Sequence, residues 1–300
     1  MMQNKYFPKI SVIVPSLNQG CYLRQCIDSI LSQEYQNIEL LIIDGESIDE
    51  SVSIIKEFER NVSYWVSEPD NGQSDAINKG FKKASGEIVA WLNADDYYLP
   101  RAFDRVIESY FEDQCAPFYF GDGLRVDETG KTISKFFPTK KLTFNRKSLI
   151  MGLNYILQPS TFINSQSLKQ VGYLDVELHY GMDSDLWMRL SGIGTPRAIT
   201  ATLSASREYA TTKTASGSFE RIEELRQIAE KHSGLKITPG VLCYFLDTFY
   251  RFAKQNDDIF PSPYLKDISR FWQKTADLFG HFNTDPNGFP REPKKKYKWQ

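Results

Sequence analysis

Asn93, Asp95 and Asp96 follow directly on the apolar run Ile88-Val89-Ala90-Trp91-Leu92. Five apolar residues in a row suit a strand buried on both faces. Paired carboxylates at the end of such a strand are costly unless something neutralises them. A hard divalent cation, Mg²⁺ or Mn²⁺, is the usual partner of such oxygen donors, and it typically brings a phosphate-bearing ligand. The competing reading makes Asp95 and Asp96 the start of a solvated loop, ahead of a helix opened by Pro100.

The elements that must position these groups are legible from periodicity. Residues 10–14 form a buried strand closed by Pro15, and Leu23, Cys26, Ile27, Ile30 and Leu31 then follow at helical spacing. Residues 38–43 make a second strand ending at Asp44-Gly45, and Asp49 opens a helix carrying Val52, Ile55 and Phe58. A third strand spans 62–66, a helix spans 74–84 with Gly86 just beyond it, and the fourth strand is 87–92. Strand alternating with helix at this rhythm predicts an α/β fold with a parallel, doubly wound sheet. Ligands in such sheets bind outside the carboxyl ends of the strands. The side chains at those ends are Ser16 and Asn18, Asp44, Glu68 and Asp70, then Asn93, Asp95 and Asp96.

After a helix at 100–112 the pattern changes. Segments 118–126 and 132–137 flank a hairpin turn at Asp127-Glu128-Thr129-Gly130, and 155–162 holds a short strand. A short helix over 167–171 ends at Gly172, and another starts at Asp183, with Leu186, Trp187 and Leu190 on one face. Helical patterns follow at 218–232, 239–255 and 262–280, and a basic tail holds Arg291, Lys294, Lys295, Lys296 and Lys298.

Composition narrows the function. A net charge of −2 argues against a dedicated nucleic-acid binder. The three histidines, His179, His232 and His281, have no zinc-site spacing, and neither a Gly-x-Gly-x-x-Gly nor a P-loop pattern is present. Cys21, Cys26, Cys115 and Cys243 show no metal-ligand spacing and read as reduced, which points to the cytoplasm. No leader precedes Ile10, and no apolar run approaches the ~20 residues that span a bilayer.

Four segments, ISVIVPSLNQ (10–19), IELLIIDGESIDES (38–51), SEPDNGQSDAINKGFKKASGEIVAWLNADD (67–96) and GMDSDLWMRL (181–190), together resemble the family 2 glycosyltransferases over about residues 8–215. The nearest subgroup is similar to bacterial enzymes that build cell-surface polysaccharides. The resemblance implies a GT-A fold, a mostly parallel Rossmann-like sheet with flanking helices, and inverting transfer from a nucleoside-diphosphate sugar. UDP is the expected nucleotide, with dTDP or GDP as alternatives, and the acceptor is a saccharide or lipid-linked hydroxyl. It also implies a glycosyltransferase domain over 1–215, with a nucleotide half at 8–112 and an acceptor half at 113–215. A helical extension over 216–300 completes the chain.

Residue by residue, the resemblance places Pro15, Ser16 and Asn18 along the nucleotide and Asp44 at the uracil edge. Asp75 and Asn78 fall at the donor-binding helix start, where Ile77 replaces an Arg common in relatives. Asn93-Ala94-Asp95 occupies the Asp-x-Asp position, with Asn for the first acid. Asp96 is then the expected metal ligand, and Asp95 binds ribose or the metal through water. Asp183 is the expected catalytic base and Asp185 the second choice, since aspartates two apart on a helix point ~200° from each other. Met182 stands where relatives carry Glu. Gln158 lies near the acceptor, and Arg207 resembles a segment that closes over the diphosphate. No histidine is present there as a further metal ligand, and Lys213 is the alternative cation for the diphosphate.

Two rival readings are a sugar nucleotidyltransferase, which would carry a Gly-rich basic loop where this chain has SLNQGCYLRQ, and a non-catalytic scaffold. The aromatics in VLCYFLDTFYRFA (241–253) read as helix packing. With the basic tail, they also suit peripheral contact with the inner face of an anionic membrane.

Overall fold

The computed structural model describes residues 6–137, 142–209, 212–213 and 219–255. The helical pattern at 262–280 and the basic tail lie outside the described residues. By contacts the chain divides into two compact units, Met1–Leu142 with Ile156–Ser216, and Thr143–Tyr155 with Gly217–Gln300.

In the first unit, β1 (Ile10–Ser16), β2 (Ile38–Asp44), β3 (Tyr64–Ser67) and β4 (Ile88–Trp91) are the four expected strands. They alternate with α1 (Gly20–Leu31), α2 (Ser51–Glu57) and α3 (Gln73–Lys83). β1 pairs in parallel with both β2 and β4, and β2 with β3. Every residue of β1 and of β4 is buried, as strands covered on both faces require. On one face Val12, Val14 and Ala90 meet Leu23, Cys26, Ile27 and Ile30 of α1, with Phe103 and Val106 of α4 (Ala102–Glu112). On the other face Trp91 stacks on Trp187 of α7 (Met182–Ile193), with ring centroids 5.5 Å apart.

Beyond β4 the sheet is mixed. The order is β3-β2-β1-β4-β8-β6-β9-β5, with β7 paired to β6, nine strands in all. The remaining strands are β5 (Tyr97–Tyr98), β6 (Phe118–Val126), β7 (Thr132–Lys135), β8 (Thr161–Asn164) and β9 (Arg197–Arg207). β8 runs antiparallel to β4 and to β6, and β9 runs parallel to β6. The hairpin expected around Asp127-Gly130 is β6–β7. β5 and the eleven-residue β9 were not anticipated. The strand expected within 155–162 begins only at Thr161, after a 3-10 turn over Gln158–Ser160. Helix α6 (Ser165–Val171) starts two residues early because the Asn164 side chain accepts from the Gln166 and Ser167 N–H groups. Gly172 ends it at a φ of 84°. Gly86 is not such a cap: a Cβ there would lie 2.6 Å from the Lys9 carbonyl, so it is Gly for close approach.

The second unit contains α5 (Arg146–Ile150), α8 (Phe219–Ser233) and α9 (Pro239–Gln255). Ile222, Ala229 and Val241 form its buried cluster. No helix among the described residues is long and apolar enough to cross a membrane. All four cysteines are free thiols.

Candidate active site

The carboxyl ends of β1, β2 and β3 are knitted by short polar side chains. Asp44 is fully buried, and its carboxylate accepts from the Ser47 N–H (2.9 Å), the Ser47 hydroxyl (2.6 Å) and the Ser67 hydroxyl (2.6 Å). Asn18 sits at a φ of 51°, takes the Ile48 N–H on its side-chain oxygen at 2.9 Å and gives its own N–H to Ser47 Oγ at 2.8 Å. Asp44 is thus the brace on which the nucleotide-side loops hang, with no surface of its own. Pro15 is buried beside it, and the buried Ser16 hydroxyl has no hydrogen-bond partner. A buried polar atom left unpaired at a strand end marks a place that a ligand group can satisfy. Leu17 and Ile48 are exposed on the rim.

The second cluster stands at the end of β4. Asp96 is 4% exposed; its Oδ1 accepts the Arg207 N–H at 2.9 Å and its Oδ2 faces the Asn93 amide at 3.4 Å. Asp95 is half-buried and accepts the Tyr209 hydroxyl on Oδ2 at 2.9 Å. Burial holds the Asp96 carboxyl well above the usual carboxylate range, and the Asp95 charge beside it adds to the shift. Burial raises Asp95 as well, against the Tyr209 hydrogen bond and the Arg207 charge. Two adjacent carboxylates in this state are a set of hard oxygen donors that a divalent cation would stabilise. The chemistry of the donors therefore fits Mg²⁺ or Mn²⁺. Among the described residues no cluster of three His, Cys, Asp or Glu forms, so phosphate and water oxygens would have to complete such a shell.

Arg207, expected on a segment that closes over the diphosphate, is largely enclosed by protein. It ends β9, is 5% exposed, and spends its guanidinium inside the protein. Its side chain donates to the Asp95 carbonyl (2.9 Å), the Asp127 and Glu128 carbonyls (3.3 and 2.8 Å) and Gln25 Oε1 (2.7 Å). The guanidinium carbon lies 4.4 Å from the centroid of the Tyr22 ring. Its physical role is to fasten α1, the carboxylate turn and the β6–β7 hairpin to one point.

Asp183 and Asp185 separate cleanly. Asp185 is fully buried and paired with Arg189 at 2.7 Å. The Arg189 guanidinium also donates to the carbonyls of Val171, Gly172 and Tyr173. Asp183, half-buried at the start of α7, accepts the Ser184 N–H at 2.6 Å. Met182, where relatives carry an acid, is buried, with its sulfur 2.8 Å from the Ser74 hydroxyl. That contact brings the start of α7 to the start of α3. Asn78 serves the same junction: its amide donates to the Leu174 carbonyl (2.8 Å) and accepts the Leu174 N–H (3.0 Å). Asp75 accepts the Asn71 N–H at 3.1 Å and lies 3.9 Å from Lys79. Gln158 donates to the Trp91 carbonyl at 2.7 Å and lies 3.4 Å from the Asn93 amide, beside the carboxylates.

Gln73 and Tyr209 escaped sequence reasoning. Gln73 donates to Asn93 Oδ1 at 2.8 Å, and Lys213 donates to Gln73 Oε1 at 3.1 Å. Neither carries a charge or a motif; the one available signal for Tyr209 was its place two residues beyond Arg207.

A parallel half-sheet with acidic strand ends, extended by a mixed half that supplies a second wall, is the arrangement of GT-A glycosyltransferases. The sequence model of Glycosyl transferase family 2 matches residues 11–170. An uncharacterized glycosyltransferase of Rickettsia typhi is 30% identical over 234 residues, covering 75% of this chain and 72% of its own. Another from Haemophilus influenzae is 28% identical over 173 residues, covering 57% and 68%. Among solved structures, S. aureus TarS 1-349 in complex with UDP-GlcNAc superposes with a TM-score of 0.62 at 17% identity, covering 89% of this chain and 81% of that one. The mannosyltransferase PcManGT from Pyrobaculum calidifontis, in complex with GDP-Man and Mn²⁺, gives 0.56 at 16% identity, covering 95% and 85%. The chain is a GT-A enzyme. It belongs to glycosyl transferase family 2, which decides for glycosyl transfer over the nucleotidyltransferase and scaffold readings.

Proposed function

We propose that the chain transfers a sugar from a nucleoside-diphosphate sugar, UDP-linked in the first instance, to an acceptor hydroxyl with inversion. The acceptor is a saccharide, free or lipid-linked, of the kind used to build surface polysaccharide. One observation carries this reading: the start of α3 links the turn that bears the Asp95–Asp96 pair to the helix start that bears Asp183, through the contacts Gln73–Asn93 and Ser74–Met182. The complexes of TarS with UDP-GlcNAc and of PcManGT with GDP-Man and Mn²⁺ agree with it.

Asp95 is the better placed of the pair to meet a cation, because its Oδ1 accepts from no side chain among the described residues. Asp96 stands behind it, fixed by Arg207. This reverses the order expected from the sequence. A bound Mn²⁺ or Mg²⁺ would stabilise negative charge on the leaving diphosphate. Ser16 offers a hydroxyl to the nucleotide, and the loops braced by Asn18 and Asp44 shape its pocket. Asp183 takes the acceptor hydroxyl proton as that oxygen bonds to the anomeric carbon. The bond from that carbon to the diphosphate breaks, and its electron pair leaves with the nucleotide. Asp185 is spent on Arg189, which leaves Asp183 as the base.

The two acids make the test. With cation present, the wild type should slowly hydrolyse a UDP-sugar to free sugar and UDP. Asp183→Asn should lower turnover by about 10²–10⁴-fold while UDP still raises the unfolding temperature. Asp185→Asn should instead cost about 1–3 kcal/mol of stability in urea, because the half-buried Arg189 loses its carboxylate and keeps only carbonyl partners. Near-normal hydrolysis in Asp183→Asn would exclude it as the base.

A further inference from the structure

The side-chain amides around Asn93 form a chain in which every donor points the same way. Lys213 Nζ donates to Gln73 Oε1 (3.1 Å), and Gln73 Nε2 donates to Asn93 Oδ1 (2.8 Å). Asn93 Nδ2 then forks to Asp96 Oδ2 and Gln158 Oε1, 3.4 Å from each, and Gln158 Nε2 donates to the Trp91 carbonyl (2.7 Å). The chain runs from an ammonium to a carboxylate, so each bond polarises the next in the same sense. The Trp91 carbonyl and the Lys213 ammonium fix its direction, since one can only accept and the other only donate.

Positions 73, 93 and 158 must each both accept and donate, and position 93 is the one that meets Asp96. A carboxylate accepts from Gln73 as well as an amide does, but it has nothing to give Asp96 or Gln158. We propose that Gln73, Asn93 and Gln158 act as one positioning relay that sets the Asp96 carboxylate, and that Asn93 is required as an amide. Gln73 is then a positioning residue for the transfer reaction, and restoring an acid at 93 impairs the enzyme. The inference rests on the carboxylate-pair reading above, but the relay itself can be tested without turnover.

Asn93→Asp is isosteric and adds a negative charge beside the pair. It should tighten Mn²⁺ binding by isothermal titration and lower the half-saturating Mn²⁺ concentration. At the same time kcat for UDP-sugar hydrolysis should fall, by up to about 10²-fold, the scale of a small misplacement of catalytic geometry. Gln73→Met, which keeps length and removes the amide, should lower kcat similarly without the gain in Mn²⁺ affinity. A plain structural lesion would not divide affinity from turnover in this way. Wild-type kcat in either variant, or a faster Asn93→Asp enzyme, would overturn the proposal.

The side-chain NH₂ resonances provide the readout independent of activity. Gln73→Met should shift the Gln158 Nε2 protons, which lie two links away across Asn93. If those protons stay put, the relay does not exist, whatever the enzyme transfers. If they shift and no UDP-sugar is hydrolysed by the wild type, the relay stands and the functional reading fails.

Discussion

Burial removes the water that would solvate the Asp96 charge and raises its carboxyl well above the usual range, and the Asp95 charge beside it adds to the shift. Both carboxyls are therefore raised in the folded, cation-free protein, while in the unfolded chain each returns to about 3.9. The folded state binds more protons than the unfolded one between those values. The pair's contribution to stability is thus full below about pH 3.9 and is lost as pH rises through the raised folded values. A cation needs both groups ionised, so its binding expels those protons and tightens with pH. The rise in unfolding temperature caused by Mg²⁺ should accordingly be larger near pH 8 than near pH 5, with proton release detectable in buffers of different ionisation enthalpy. A pH-independent shift would place the ion elsewhere. At this scale the sequence announced residue types but not their partners. Asp95, Asp96 and Asp183 could be singled out because acids at strand and helix ends carry a chemical signal. The partners of Asn78 and Arg207 were not legible, because a motif match says nothing of which backbone carbonyl or N–H a side chain will meet, and both meet such groups.

Helix α3 is the element on which the site turns. It presents Gln73 to Asn93, Ser74 to Met182 and Asn78 to Leu174, so its seat against the sheet sets three junctions together. That seat depends on Gly80, where an added Cβ would stand 2.4 Å from Ile13 Cγ2 at the centre of β1. Ile13 is fully buried and cannot withdraw. Gly80→Ala should therefore destabilise by about 1–3 kcal/mol despite the higher helix propensity of Ala, and should weaken UDP binding as α3 is pushed outward. A gain in urea midpoint with unchanged UDP affinity would show that α3 has slack. The helix was legible from its periodicity, yet Gly80 reads in the sequence only as a weak spot. β9 went unread for a related reason. Its residues, RAITATLSASR, carry mixed polarity because β9 lies between β6 and β5, and its pairings with Asp122–Val126 cross about eighty residues of chain. Local pattern specifies the strands that pair in order, β1 to β4, and says little about those recruited from afar.

The chain as a whole joins a described sugar-transferring unit to a helical unit whose surface argues for where the enzyme works. α9 exposes Leu242, Phe245 and Phe252, at 48%, 43% and 42%, beside the buried Val241 and Thr248. Positions 242, 245, 249 and 252 fall on one helical stripe, and Phe219 of α8, itself 47% exposed, joins it at 6.0 Å from Phe245 and 6.5 Å from Phe252. An apolar stripe of this kind is unusual on a surface that meets only water. Five basic residues follow at 291–298, outside the described residues, and each Lys or Arg near an anionic leaflet adds about 1 kcal/mol of attraction. An enzyme extending a lipid-linked acceptor would use both terms, apolar side chains to enter the interface and basic ones to hold it there. The full chain should therefore co-sediment with vesicles containing anionic phospholipid and be released by high salt. Joint replacement Phe245→Ser and Phe252→Ser should cut the bound fraction by at least about tenfold, since burying one Phe contributes about 1.5–3 kcal/mol. UDP-sugar hydrolysis should be unchanged in that variant, because Asp95, Asp96 and Asp183 belong to the other unit. Failure to co-sediment, or equal binding by the double variant, would leave α8 and α9 as packing elements and point to a soluble saccharide as the acceptor.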